Sequence, residues 1–440
     1  MRVALLCLIA LAACTPDKSD DDTEVGSGED GGTDDTDDTD DTDDSGVVDV
    51  PTWHQDVAPI FAHSCDGCHT AGGIGTPEWN SPEEAAEWAI PIAAAVGART
   101  MPPWRASSEC NTYVGDFSLS DEEVATVVAW AEGGAPMGDA ATAAELPQPY
   151  TPPTLDRVDL ELRLPEPYTP VPISGSDDYR CFLMEWPFDE TVWVTGYEMK
   201  PDNLQVVHHI IPYIIAPGDV AQYQALDEAD PGPGYTCYGG PGGDIDTLIN
   251  TRWLGSWAPG SAPGVFEGGV GLEVPPGGMV AFQVHYNVTD GGGHSDQSGM
   301  DLRIETEPQG WAEIQPWTDV AWLFGDGMEI PANTNDVTHS WSYPHSYNFK
   351  MRTAAIHMHT LGKSAKLWVE HADGTEDCLI QVDNYDFNWQ RSYQLEVPVQ
   401  TVPGDTLHLS CTWDNPTDED VAWGDGTGDE MCLGISLITD

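Results

Sequence analysis

From about Asp159 to the C-terminus the 440-residue chain loses helical periodicity: short runs rich in Val, Ile, Trp and Tyr alternate with clusters of Gly, Pro, Asn and Asp. Such a pattern is buried only by pairing sheet against sheet, so this stretch predicts antiparallel β-sandwiches, two by length. A break near Glu307-Pro308-Gln309-Gly310 divides them into residues 159–309 and 310–440. Met279 to Val288 has the strand period, with Val280, Phe282, Val284, Tyr286 and Val288 on one face and His285 on the other. The stretch 51–140 reads differently. Pro82 to Ala89 is rich in helix formers, and Leu119 to Glu132 opens with Ser120 as N-cap and Glu123 three residues on. A Pro-rich linker, 141–158, joins the two parts. The expected fold is multidomain: a small all-α domain followed by two all-β domains.

The N-terminus excludes itself from any core. Met1-Arg2 leads an apolar run from Val3 to Ala13, too short to span a bilayer, and ends in Leu11-Ala12-Ala13-Cys14. This ending resembles the lipobox of bacterial lipoproteins, which implies a signal peptide over 1–14 and acylation of Cys14. Residues 15–50 follow as an acidic tether: 16 of the 75 acidic residues lie between Asp17 and Asp49. A segment with nothing to bury and one sign of charge stays extended. The expected location is therefore exported and lipid-anchored in the cell envelope, periplasmic or surface-facing. Thr15 after the lipid cysteine favours the outer membrane. A formal net charge of -60 with 15 Lys+Arg excludes nucleic acid as a partner.

Cys65-Asp66-Gly67-Cys68-His69 has the spacing of c-type haem attachment: two thiols for the vinyl groups and an adjacent imidazole for the iron. The second axial ligand is expected from Met101, in Arg99-Thr100-Met101-Pro102-Pro103-Trp104, with Met137 as the competitor. With Val57-Ala58-Pro59-Ile60-Phe61 and Gly72-Gly73-Ile74, these motifs resemble the class I cytochrome c domains fused to bacterial oxygenases. The resemblance implies an electron-transfer haem c with no open position for oxygen.

The β region carries a second set of ligands: His208-His209, His285, His357-Met358-His359 and Met431. In a strand, residues i and i+2 share a face, so His357 and His359 can grip one metal. Neighbours point apart, so His208 and His209 need a bulge or different ring nitrogens to do the same. Imidazole with a thioether suits copper cycling through Cu(I). Their order and flanking residues, His285-Tyr286, His357 to Lys363 and Asp429-Glu430-Met431-Cys432, resemble the copper type II, ascorbate-dependent monooxygenases.

That resemblance implies two jelly-roll-like domains facing across a solvent-filled cleft. One copper is held by His208, His209 and His285 for electron transfer. The other is held by His357, His359 and Met431, the catalytic set where O2 reacts. It implies disulfides Cys181–Cys237 and Cys411–Cys432, leaving Cys110 and Cys378 to pair or stay free. The implied reaction is hydroxylation of a C–H bond of a small organic substrate, with the haem in place of free ascorbate and an external donor, ascorbate-like or a redox protein, refilling it. The peptide-processing branch binds its substrate's carboxylate with Arg and Tyr at positions held here by Ala355 and Ile435, so a neutral, amine-bearing or hydrophobic substrate is expected. The competing reading is a non-catalytic electron-transfer or copper-binding lipoprotein. A three-His zinc hydrolase ranks last, because it leaves Met431 and the haem motif unused.

Overall fold

The computed structural model describes residues 50–440, apart from 72–74, 149, 151, 173–175, 244–250, 260, 289–292, 326 and 425. The signal sequence, Cys14, the acidic tether to Asp49 and Gly72-Gly73-Ile74 lie outside the described residues. No helix among the described residues is long and apolar enough to cross a membrane.

Residues 53–132 hold a π-helical turn, Trp53–Val57, and helices Ala58–Ser64, Asp66–His69, Pro82–Glu87, Ala89–Gly97 and Asp121–Glu132. Aromatic side chains fill their core: Trp53 meets Phe61 with ring centroids 4.8 Å apart and Trp130 at 5.5 Å. The expected capping box is present, Ser120 accepting from the Glu123 N–H and the Glu123 carboxylate from the Ser120 N–H. The first expected helix ends at Glu87, because Trp88 leaves the helical region before a new helix starts at Ala89.

The segment from Trp104 to Phe117 departs from this helical body. Trp104, Ala106 and Tyr113 are buried in the core of the C-terminal β region, and Phe117 packs against it. Bridges join Ala106 to Val382 and Tyr113 to Leu395. Arg105 pairs with Asp386 at 2.7 Å, and Cys110 is disulfide-bonded to Cys378. The pairing left open for these two cysteines is thus resolved. Cys110→Ser combined with Cys378→Ser is expected to lower unfolding free energy by about 2–5 kcal/mol, read from the denaturant midpoint. An unchanged midpoint would mean the strand contacts alone hold this segment.

The rest is β. Fourteen strands form one hydrogen-bonded sheet, and Thr334–Pro344, Thr406–Asn415, Gly362–Glu370 and Glu376–Val382 form a second of four strands. There are two cores, as two sandwiches require. One gathers Phe182, Val194, Leu272, Phe282 and Tyr286, and the other Met351, Leu367, Leu409 and Trp413. The expected break at residues 307–310 is a loop, but the sheet runs on past it. Strand Gly310–Trp317 pairs in parallel with Val270–Val274 and antiparallel with Leu433–Thr439. Leu433–Thr439 pairs in turn with Phe349–His357. The sheet thereby carries His208, His209, His285 and His357.

Strand Met279–Asn287 puts Val280, Phe282, Val284 and Tyr286 in the first core, as its period predicts. Its other face is buried too, against Tyr213, Ile215, Tyr223 and Tyr235. Tyr223 belongs to the helix Val220–Ala229, which the β reading of this region did not anticipate. The Cys181–Cys237 disulfide lies in the same cluster. Each fully buried side chain of Phe or Tyr size contributes about 1.5–3 kcal/mol, so this packing fixes His285 firmly.

Candidate metal centres

Burial decides the chemistry of His285. It is fully buried, its ring stacks on Tyr179 at 4.0 Å, and its Nε2–H donates to Asp177 Oδ1 at 3.0 Å. Asp177 thus selects the tautomer, leaving the Nδ1 lone pair facing the neighbouring strand. That strand, Val207–Ile215, pairs His209 with His285 but Val207 with Tyr286. His208 is the extra residue of a β-bulge, and the bulge lets two sequence neighbours converge.

His209 Nδ1 lies 3.3 Å from both His208 Nδ1 and His285 Nδ1, and the three imidazoles form one potential metal-binding group. Nitrogens about 2.0 Å from a common ion at a tetrahedral angle are separated by about 3.3 Å, so the donor set fits a metal. Burial, reinforced by His285, pushes His208 down to about 3, and burial holds His209 well below its ordinary value. Burial also lowers His285, against the pull of Asp177. The rings are therefore neutral, the state that binds metal. Burial pushes the Asp177 carboxyl up, but the hydrogen bonds from His285 and Asn287 outweigh this and bring it down to about 2. Asp177→Asn is expected to weaken copper binding at this trio about 10–100-fold, measured by competition with a chelator. Wild-type affinity would remove Asp177 from the site's support.

His357 ends the strand Phe349–His357, and His359 lies just past it, so the expected i, i+2 pair spans a strand end. The rings stand 5.1 Å apart. Backbone and side chain orient both through Nδ1, His357 against the Gln390 Oε1 and His359 against the Asp429 carbonyl at 3.0 Å. Nε2 is left for a ligand in each. Burial, then His359, pushes His357 down to about 3. Met431 is 8% exposed and borders the same cleft as both rings. It is anchored on each side: Cys432 is bonded to Cys411, and the buried Glu430 carboxylate accepts from the His359 N–H at 2.9 Å, the Leu361 N–H at 2.6 Å and Trp413 Nε1–H at 2.8 Å. Burial pushes Glu430 up to about 7, while these donors pull the other way.

The two ligand sets approach each other. The rings of His209 and His357 are 6.2 Å apart. Phe387 bridges the sets, stacking on His208 at 4.7 Å and meeting His359 at 5.9 Å. A cleft opens between the sets, lined by His209 on one side and by His357, His359 and Met431 on the other, and walled by Trp253, Trp257 and Tyr213. Ala355, Ile435 and the cation of Arg391 are among its lining, and among the described residues no carboxylate is.

Around the Cys-x-x-Cys-His, Cys65 and Cys68 are free thiols, while the other six cysteines described form disulfides. Burial pushes both thiols up. His69 Nδ1–H donates to the Pro77 carbonyl at 2.7 Å, and its ring stacks on Trp79 at 4.5 Å. Trp79 in turn donates to Asp66 at 3.0 Å. A Cβ on Gly75 would meet the His69 ring at 2.9 Å, so glycine is needed there. His69 Nδ1 is thereby committed, and any ligand would meet Nε2. Of the two methionines weighed, Met137 packs against the helical core, and Met101 sits in the loop running to Trp104.

Asp177, Gln390, Phe387 and Glu430 were not found by sequence reasoning. Only Glu430 had a signal, its place beside Met431.

A tyramine beta-hydroxylase of Caenorhabditis briggsae is 24% identical over 299 residues, covering 62% of this chain and 48% of its own length. The chain thus spans about half the length of that relative. Among solved structures, the major capsid protein P2 of bacteriophage PM2 covers 60% of this chain and 97% of its own, at 8% identity and a TM-score of 0.23. The infectious bursal disease virus VP2 subviral particle covers 66% and 80%, at 9% identity and a TM-score of 0.17. Overlaps this low carry no argument. Residues 321–435, which include His357, His359 and Met431, match the copper type II ascorbate-dependent monooxygenase C-terminal domain.

Proposed function

We propose that this chain is an exported copper-dependent monooxygenase that hydroxylates a C–H bond of a small organic substrate with O2, drawing electrons through its own c-type haem. The observation that carries the reading is the convergence of His208, His209 and His285 on one another and of His209, His357, His359 and Met431 on one cleft, with His285, His357 and His359 each oriented by a hydrogen-bond partner. Copper held by His208, His209 and His285 and by His357, His359 and Met431 would supply one-electron transfer to O2 and oxidation of the C–H bond.

The protein's own part is positional and dielectric. Asp177 fixes His285 in the tautomer whose Nδ1 faces the trio, and Gln390 and the Asp429 carbonyl do the reverse for His357 and His359. Phe387 packs against His208 of one set and His359 of the other. The walls of Trp253, Trp257 and Tyr213, with Ala355 and Ile435, favour a substrate with an apolar or aromatic body. The lining includes the cation of Arg391 and, among the described residues, no carboxylate, which disfavours an amine and narrows the sequence expectation.

Haem c attached at Cys65 and Cys68 is supported by these two unpaired thiols, the other described cysteines all being disulfide-bonded, and by the orientation of His69. Met101 is the proposed second ligand. Disulfides agree with export. The lipid anchor at Cys14, the outer-membrane location and the external donor, ascorbate-like or protein, complete the proposal.

The test is metal analysis with oxygen uptake on the full chain, wild type against His357→Ala and Met431→Ala. Lost copper and lost substrate-dependent uptake support the reading. Unchanged copper and unchanged uptake contradict it and leave the non-catalytic alternative.

A further inference from the structure

Arg391, beside these centres, is not used by the proposed chemistry. Its guanidinium carbon lies 4.9 Å from the Trp104 ring centroid, 5.1 Å from Phe117 and 5.5 Å from Tyr393. Arg391 Nε is buried without an acceptor, and so is Trp104 Nε1 beside it. No carboxylate pairs with the guanidinium among the described residues. Its nearest candidate, Asp116, acts only through space, its Oδ1 being taken by the Ser118 N–H at 2.7 Å. A cation in an aromatic cage with no counter-ion, next to an orphaned indole N–H, is costly. Each unmet buried donor costs about 1–3 kcal/mol, and more when charged. Two such donors side by side describe a site for an anion with two acceptor oxygens.

The place of this site identifies the anion. Arg391 borders the copper cleft, but the three rings of its cage do not line it. Trp104 belongs instead to the Met101-Pro102-Pro103-Trp104 loop, its N–H bonded to the Pro102 carbonyl at 2.8 Å. The orphaned donors therefore lie at the end of the loop that carries Met101, the proposed second haem ligand, three residues before Trp104.

We infer that Arg391, with Trp104 Nε1–H, binds a propionate carboxylate of the haem, so that a residue of the C-terminal β region holds the cofactor of the helical region. This rests on the proposed haem attachment. It adds a positioning role: Gln390, the next residue back, holds His357 Nδ1, so adjacent residues would fix the haem edge and a copper ligand together.

The test is an anaerobic redox titration of the full haem-loaded chain, followed by the haem absorbance, for wild type, Arg391→Gln and Arg391→Lys. With Arg391 in place the propionate stays ionised and the haem potential is flat between about pH 5 and 8. Arg391→Gln leaves the propionate beside Asp116, Tyr150, Tyr393 and the thioether at Cys68, with no cation. The expected result is covalent haem retained, a reduction equilibrium constant lowered at least threefold at neutral pH, and a new rise in potential toward low pH. Arg391→Lys keeps the charge and is expected to stay closer to wild type. Haem present with unchanged potential and pH profile in Arg391→Gln overturns the inference, as do equal shifts in Gln and Lys. A purified chain with no covalent haem overturns the electron-supply reading beneath it.

Discussion

Replacing His209 with alanine is expected to empty one of the two proposed copper sites and abolish substrate-dependent oxygen uptake. His209 is central to its trio: its Nδ1 is 3.3 Å from the Nδ1 of both partners, and its ring is the one that approaches His357, at 6.2 Å. Removing a residue that merely orients a ligand costs about 10–100-fold in metal affinity, and removing the ligand costs more. The remaining pair, His208 and His285, would have two nitrogens with no third to close the set. His371→Ala is the control. That ring is tied to Asp377 and Asp405 at 2.9 Å each, outside the cluster, and its loss should leave copper and uptake intact. Full copper occupancy in His209→Ala would show that the trio does not bind as a unit.

Trp413→Ala is expected to be the most destabilising single change near the second site, by about 3–5 kcal/mol. Trp413 is fully buried in the C-terminal core and its Nε1–H donates to Glu430. Truncation leaves a large cavity and strips the carboxylate of one of its donors. Because Glu430 also accepts from the His359 and Leu361 backbone, the damage reaches the metal ligands. Trp413→Phe keeps most of the volume and loses only the N–H, so about 1–3 kcal/mol is expected. Chemical denaturation of the three proteins measures the order. Equal loss in Phe and Ala would mean that the hydrogen bond to Glu430 dominates.

What the sequence made legible follows from period and order. Strand Met279–Asn287 announced its core face through Val280, Phe282, Val284 and Tyr286, and the Ser120–Glu123 capping box announced a helix start. The histidine motifs were visible because residue type alone signals ligand chemistry. The bulge that unites His208 and His209 was open as one of two solutions, since a register shift depends on the partner strand. The helix Val220–Ala229 was missed because one short helix sits inside a region of β composition. Burial of the His285 face depends on that same helix. Asp177, Phe387 and Gln390 reach the site only through tertiary pairing, which a single sequence does not encode locally. The excursion of Trp104 to Phe117 into the second β core was equally hidden. Its apolar residues read as ordinary loop, yet they build the cage around Arg391.

The central claim is that haem electrons are consumed at copper. Rapid mixing tests it directly: haem-reduced, copper-loaded chain is mixed with oxygen and an apolar aromatic substrate, and haem oxidation is followed by absorbance. Fast haem oxidation with hydroxylated product is expected in the copper-loaded chain, and slow oxidation without product after copper is removed. Haem oxidation at the same rate with and without copper would contradict it.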